Sequence, residues 1–329
     1  MAKRIQKAKE AVKTANIGQL SKDLRASWKD TDTAERKAVA IIRNAHKEAS
    51  DAIVERTIGF VEKYGTYAQA KRKGRLNKYM RQVNKALNRM SKEQIRLIGK
   101  ENVEVFKRSY EETAQAYEEV FNPSTTKMTV NLGKVSKSAV KSFETMPVLG
   151  ADVVEETTRQ YAQLSYQIRK NIRQGLLLGE NPVTVGRRIS KRLGIQRNHA
   201  IALARTNIVT SHNRATDLLV DRNPDIFVGL RWLTQLDERT CPICGPRHGE
   251  VYDKRKGEVP DYPAHFNCRC ALVPVTNVSI KRAAGQNIGT QQKRLNKQEQ
   301  AWVDEYGKSS VEKYGTQGVT STELLEKAS

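Results

Sequence analysis

Four cysteines and a histidine in one short segment are the side chains of this chain best suited to metal chemistry. Cys241 and Cys244 are separated by two residues, the spacing in which a tight turn directs two thiolates toward one ion. His265, Cys268 and Cys270 follow about twenty residues later, the usual distance between the halves of a small zinc site. On an extended segment Cys268 and Cys270 face the same side. The sequence predicts one structural zinc ion bound by four of these five side chains.

Other interpretations of the segment remain open at this stage. The four cysteines could form disulfides or be inert thiols, although a reducing cytoplasm favours metal over disulfides. His248 could be a nuclease histidine, but a turn residue or an alternative metal ligand is the preferred interpretation. A catalytic metal is disfavoured because no carboxylate lies at a recognisable ligand or base spacing.

Positive charge is the second feature with functional meaning. The chain carries a formal net charge of +22, and Lys71 to Lys100 hold 11 positive charges against one negative, Glu93. Eight of these cations step by three or four residues and therefore share one helical face. We call this set the basic stripe: Arg75, Lys78, Arg81, Lys85, Arg89, Lys92, Arg96 and Lys100. The stripe predicts contact with the phosphates of double-stranded DNA, without base reading.

Two alternatives compete with DNA for the basic stripe. A charge run is usually a solvated helix face, but such faces mix signs and this one does not. A basic amphipathic helix can also lie on an anionic membrane surface. The apolar residues Leu76, Tyr79, Met80, Val83, Leu87, Met90 and Ile98 fall on a different face, and they fit either packing on a neighbouring helix or membrane contact.

Composition limits the class of protein. The hydrophobic fraction is 38% and aromatic residues make up 6%, which predicts an extended, mainly helical architecture with modest cores. No apolar run approaches the ~20 residues of a membrane span. The first residues lack the apolar core of a signal peptide, so we expect a protein kept in the cytoplasm.

The punctuation of the chain predicts a basic helical region over residues 1–125, with breaks at Gly65 and Gly74. A helix cap is expected at Ser27 or at residues 30–32. An α+β domain should occupy residues 126–276. Its helices are expected over 152–178, from Pro182 (capped by Asn181) to an end at Gly194, and over 198–220.

The period then changes from helix to strand. Short strands are predicted at 227–236, 250–252 and 271–275, so that residues 225–276 form a small β unit held together by the zinc site. Trp232 is expected to pack beneath that site, and Arg205 to pair with Asp217 or Asp237. A polar linker and tail should occupy residues 277–329. The predicted fold class is therefore mainly α, ending in a zinc-pinned β unit.

A run of motifs from about residue 170 to 276 resembles the Mu F-like phage head morphogenesis family. The run contains Ile172-Arg173-Gln174-Gly175, Ala204-Arg205-Thr206, His212-Asn213-Arg214-Ala215, Gly229-Leu230-Arg231-Trp232, Asp237-Glu238-Arg239-Thr240-Cys241-Pro242-Ile243-Cys244, His248-Gly249 and Pro263-Ala264-His265-Phe266-Asn267-Cys268-Arg269-Cys270. One departure is Asn207, where a glutamate is expected after Ala-Arg-Thr.

The resemblance implies a minor head protein of a tailed phage, a low-copy procapsid component near the portal. Its expected partners are the portal or inner capsid and double-stranded DNA, with no small-molecule substrate and no membrane. Its expected location is the host cytoplasm during assembly and then the interior of the virion head. A structural role in assembly, packaging or ejection is expected, with no catalytic residues. The alternatives are a metal-dependent nuclease using His248 or His265, and a peripheral membrane protein.

Overall fold

Helices dominate the part of the chain that the computed structural model describes, which comprises residues 17–122, 131–144, 146–150, 152–237, 239–257 and 259–276. The helices are α1 (Ile17–Tyr64), α2 (Tyr67–Lys71), α3 (Arg75–Phe121), α4 (Lys137–Glu144), α5 (Val153–Leu178) and α6 (Pro182–Arg222). The strands are β1 (Phe227–Leu233), β2 (Val251–Asp253) and β3 (Ala271–Thr276). The predicted fold class, mainly α with a small β unit near the carboxyl end, is confirmed. The predicted linker and tail at 277–329 lie outside the described residues.

Glycines end helices where the sequence predicts breaks. α1 stops at Tyr64 because Gly65 adopts a left-handed φ of +56°. Gly74 (φ +66°) is the last residue of a short 3-10 turn, Arg72–Gly74, that comes just before α3. Asn181 caps α6: its side-chain oxygen accepts a hydrogen bond from the backbone N–H of Val183 at 2.8 Å.

Two predicted helix ends are wrong. No helix begins at Ser27 or at residues 30–32, because α1 runs through them and Thr31 Oγ1 donates within the helix to the Ser27 carbonyl. No helix ends at Gly194, because α6 continues through it. A helical glycine costs only about 1 kcal/mol relative to alanine, and the buried residues Leu193 and Ala200 on either side hold the helix in the core.

The described residues fall into two compact units. The helical unit comprises Thr33–Val103 and Ser142–Ile208, and the mixed unit lies within Met1–Asp32, Glu104–Lys141 and Val209–Ser329. Each unit is assembled from separate stretches of chain. The domain boundaries expected near residues 125 and 276 remain predictions.

Five helices supply the core of the helical unit. The buried side chains are Ile53, Phe60 and Val61 of α1; Ala70 of α2; Leu76, Tyr79, Met80, Val83, Leu87 and Met90 of α3; Tyr161, Leu164, Ile168, Ile172 and Leu176 of α5; and Val185, Ile189 and Leu193 of α6. The apolar face of α3 is therefore packed inside the protein. Since burial of such side chains contributes roughly 1.5–3 kcal/mol each, this face is committed to folding.

Gly175 allows the α5–α6 hairpin to close. A Cβ added at Gly175 would lie 2.3 Å from Val185 Cγ2, a distance that no real contact tolerates. The packing of α6 against α5 therefore requires glycine here. This gives a physical reason for the glycine in the Ile172–Gly175 motif.

The mixed unit carries a three-stranded antiparallel sheet in the order β2-β1-β3. Gly229 of β1 lies opposite Asp253, and a Cβ at Gly229 would meet the Tyr252 carbonyl. The carboxyl half of α3 supports the sheet, because Tyr117 donates to the Pro274 carbonyl at 2.5 Å.

Replacing Gly175 by alanine should destabilise the protein by about 1–3 kcal/mol, because the new methyl group forces Val185 to move. Chemical denaturation followed by circular dichroism measures this. Gly194→Ala is the matched control: it lies in a helix with nothing within 4 Å of its Cβ position, and it should stabilise by roughly 0.4–1 kcal/mol. Equal effects at both glycines would contradict the packing argument.

Candidate metal centre

The first cysteine pair lies in a tight turn between β1 and β2. The backbone N–H groups of Cys244 and Gly245 lie 3.1 and 3.0 Å from the Cys241 carbonyl. The Cys244 N–H also points at Cys241 Sγ, at 3.3 Å. Such an N–H lowers the energy of a thiolate, which is the form of cysteine that binds metal.

The second group brings its side chains to the same place. Cys244 Sγ lies 3.9 Å from Cys268 Sγ, and His265 Nε2 lies 2.9 Å from Cys241 Sγ and 3.2 Å from Cys244 Sγ. Two trios of possible ligands result, one of Cys241, Cys244 and His265 and one of Cys244, Cys268 and Cys270. Cys244 belongs to both, so the five predicted residues form one cluster that could hold a metal ion.

The cysteines are free thiols in this structure, and all four are buried. The 3.9 Å between Cys244 Sγ and Cys268 Sγ is far beyond the ~2 Å of a disulfide bond. It is close to the separation of about 3.8 Å that two sulfurs adopt around a tetrahedral ion with metal–sulfur bonds of ~2.3 Å. Three donors, either two thiols with one imidazole or three thiols, are thus close enough to hold one ion, and such donors suit a soft metal.

His265 is oriented for a ligand role by its second ring nitrogen. Nδ1 lies 2.7 Å from the Phe266 carbonyl, so an Nδ1–H group can donate there and leave Nε2 facing the thiols. The hydrogen bond with Cys241 is the main reason that the pKa of His265 is raised to about 9. Hydrogen bonding to Cys244, and then to His265, lowers the pKa of the Cys241 thiol. A proton is thus shared where a metal ion would bind, and metal binding would release it.

Arg269 fastens the two halves of the cluster together. Its guanidinium makes two hydrogen bonds to the Asp237 carboxylate, at 2.8 and 2.6 Å, and a third to Gln235 Oε1 at 3.2 Å. The Arg269 hydrogen bond is the largest of the causes that lower the pKa of Asp237 to about 2. Thr234 Oγ1 donates to the Cys244 carbonyl at 2.7 Å. Residues 234–237 therefore contact both cysteine pairs.

Asn213 holds the Cys268–Cys270 segment against α6. Its Nδ2 donates to the Cys270 carbonyl at 2.8 Å, and its Oδ1 accepts from the Leu272 N–H at 2.9 Å. The side chain thus makes the two backbone hydrogen bonds that a neighbouring strand would otherwise make, and it is 1% exposed. The sequence contained Asn213 only as part of a motif, and nothing in its spacing showed which backbone it would meet.

His248 stands outside both groups of possible ligands. Its Nδ1 lies 2.8 Å from the carbonyl oxygen and 3.1 Å from the backbone nitrogen of Thr234. The backbone N–H of His248 donates a hydrogen bond to the Gly245 carbonyl in the turn, at 3.1 Å. These contacts favour the interpretation of His248 as a turn residue.

Two other predicted contacts can be compared with the structure. Arg205 pairs with Glu35, with 2.7 Å between Nε and Oε1, and the predicted pairing with Asp217 or Asp237 is wrong because those carboxylates bind Lys254 and Arg269. Trp232 is fully buried, and its ring contacts the Tyr252 ring and the Arg247 guanidinium. Its packing beneath the metal site stays a prediction. Asn207, the departure from the family pattern, is buried and donates to the Leu203 carbonyl.

The basic stripe faces solvent along α3. Seven of its eight side chains are exposed, and Arg75 is partly buried over the ring of Tyr64. Arg96 is the member held by an acid on its own helix, with hydrogen bonds of 3.2 and 2.5 Å to Glu93. The opposite, apolar face of α3 packs in the core of the helical unit.

That packing bears on the membrane alternative. A membrane-surface helix inserts its apolar face among lipids, whereas this face is already occupied by other helices. Within the described residues, moreover, none of the helices combines the length and the hydrophobicity needed to span a bilayer.

The described residues form a mainly helical protein with a small sheet at residues 227–276 and a cluster of cysteines and one histidine that could hold a metal ion. Residues 166–273 match the family described as "Phage Mu protein F like protein". The Mu F-like assignment made from the motifs is therefore confirmed over this segment, about a third of the 329 residues. No curated protein and no solved structure matches the chain.

Asn213→Ala should lower stability by roughly 2–4 kcal/mol, because it leaves two buried backbone groups, the Cys270 carbonyl and the Leu272 N–H, without partners. Denaturant unfolding of the metal-loaded protein is the measurement. Asn198→Ala, at an exposed position of the same helix, should change stability by no more than about 0.5 kcal/mol. A similar loss in both variants would show that Asn213 does not anchor the cysteine segment.

Proposed function

We propose that this chain is a minor head protein of a tailed phage, a low-copy procapsid component that docks at the portal or inner capsid and binds DNA. Its role is structural and assists head assembly, packaging or ejection. The observation that carries the proposal is the family match over residues 166–273. This segment contains all five cysteine and histidine side chains of the candidate metal site. A solvent-facing row of cations on the helical unit supports the DNA part.

Zinc is the metal that we propose for the cluster. Thiolates with one imidazole favour soft or borderline ions, and a closed set of four such ligands is typical of structural zinc. The ligands would be Cys241, Cys244 and His265, with the fourth from Cys268 or Cys270. Burial of the thiols suits a structural ion, because it leaves little access for substrate.

A structural role for the ion would account for how so small a sheet is held together. β2 has three residues, and a short three-stranded sheet buries little surface of its own. A zinc ion bound by the turn after β1 and by the segment before β3 would connect both ends of the unit. The nuclease alternative would use His248 or His265. Among the described residues His265 belongs to a candidate ligand trio and His248 lies outside both trios.

DNA is the partner that we propose for the basic stripe. Exposed cations that repeat every three or four residues along a helix present charge at intervals suited to phosphates, and we expect them to contact no base edge. Binding would therefore be independent of sequence. A head protein with this property can hold packaged DNA regardless of the genome segment that it meets.

The zinc proposal predicts one zinc ion per chain in protein purified without a histidine tag. Elemental analysis measures the content, and chelation should lower the melting temperature because metal binding supplies folding free energy. Cys244→Ser should abolish zinc binding, since Cys244 belongs to both ligand trios. His248→Ala should keep it. Zinc far below one equivalent in freshly reduced wild-type protein would refute the proposal.

The DNA proposal predicts that affinity falls steeply with salt, with a log–log slope of roughly −0.9 per phosphate contacted. Changing Arg81, Lys85, Arg89 and Lys92 to glutamate should weaken binding to all sequences alike and flatten that slope. Fluorescence anisotropy with duplexes of differing sequence measures both effects. An unchanged affinity in the quadruple variant at the same salt would show that the stripe is only a solvated face.

The assembly proposal predicts that the protein is found in purified procapsids and heads at low copy number. The Cys241→Ser/Cys244→Ser variant should bind DNA but fail to incorporate, because we assign docking to the metal-bearing half. The quadruple charge variant should incorporate normally. Substitutions are preferable to deleting the basic region, because α1 and α3 share a core with α5 and α6. If the quadruple charge variant fails to incorporate and the cysteine variant incorporates normally, then the basic stripe, and not the cysteine-containing part, docks on the head.

A further inference from the structure

A second helix lies along one flank of the basic stripe. Polar contacts join α5 to α3 at three levels: Thr157 to Gln94 at 3.3 Å, Ser165 to Asn84 at 2.6 Å, and Arg169 to Asn77 at 2.9 Å. The α3 numbers fall as the α5 numbers rise, so the two helices are antiparallel. Packed helices lie about 8–10 Å apart.

α5 adds its own cations next to the amino-terminal end of the stripe. Arg169, Lys170 and Arg173 are all exposed. Arg169 is positioned by Asn77 of α3, and the Arg173 guanidinium lies 5.2 Å from the centre of the Tyr67 ring. Cation–π and hydrogen-bond contacts of this kind fix the direction of a guanidinium and leave its charge available.

The positive charge of this two-helix face is concentrated at one end. Residues 65–92 and 157–179 contain no aspartate or glutamate. At the other end, two ion pairs reduce the charge: Arg96 with Glu93 on α3, and Arg159 with Glu156 on α5. The last residue of α2 and the 3-10 turn before α3 add three more exposed cations at the acid-free end, Lys71, Arg72 and Lys73.

We propose that the acid-free end of the α3–α5 pair is a duplex-binding face, in which the stripe contacts the phosphates of one strand while Arg169 and Arg173 contact those of the other. Two rows of cations on helices about 10 Å apart suit phosphates that face each other across a groove ~12 Å wide. A single row would follow one strand and bind single-stranded DNA equally well. The inference rests on the proposed DNA-binding function and gives it a preference for double-stranded DNA.

The test compares a 30-base-pair duplex with a single strand of the same length. Arg169→Gln/Arg173→Gln should weaken duplex binding about tenfold and reduce its salt slope by about two, while leaving single-strand binding nearly unchanged. The matched control is Lys191→Gln/Arg192→Gln, which removes the same charge from the helical unit at exposed positions of α6, outside the α3–α5 pair. It should change duplex binding less than threefold. Thermal melting of each variant checks that the fold is retained.

Each other outcome has a distinct meaning. If the α3 quadruple variant loses DNA binding and the Arg169/Arg173 variant does not, the two-helix face is refuted while DNA binding by the stripe stands. If duplex and single-strand affinities fall equally in the Arg169/Arg173 variant, the contact across a groove is refuted. If neither variant changes DNA affinity, the DNA-binding proposal itself fails.

Discussion

Burial of one face of α3 is the interaction on which the rest of the helical unit depends. Met80, Leu87 and their neighbours occupy the core shared with α1, α5 and α6, and this fixes the rotation of the helix about its axis. Once that rotation is set, residues at the complementary positions must face solvent. The basic stripe is exposed for this reason. The same burial leaves α3 no apolar face for lipid, which weakens the membrane interpretation.

The cluster of cysteines and His265 is subject to a different kind of constraint. Four buried thiols and an imidazole in contact would compete for protons, and the opposed pKa shifts of His265 and Cys241 express that competition. A metal ion bound there would remove this competition by replacing the protons with one charge shared by its ligands. Neighbouring groups, namely Arg269 with Asp237 and Asn213 with the Cys270 backbone, are already arranged around the cluster. These hydrogen bonds fix the backbone of the segments that present the candidate ligands.

Local signals in the sequence predicted a large part of this arrangement. The breaks at Gly65 and Gly74 follow from glycine's access to positive φ, and the metal cluster follows from cysteine spacing. The predictions that failed concern features that tertiary packing determines. Gly194 stays helical because of its neighbours in the core, and Arg205 finds Glu35 across 170 residues of chain. Asn213 likewise meets Cys270 through a contact that no local pattern encodes.

The arrangement of charge also has an energetic consequence. Cations spaced three or four residues apart repel one another and destabilise a helix in isolation. α3 tolerates them because its other face is buried, so the core offsets a repulsion that remains in the folded protein. A polyanion bound along the stripe would relieve that repulsion, and a ligand that binds only the folded state adds to its stability. The same cations that destabilise α3 in the free protein would therefore let a bound DNA duplex stabilise the folded protein.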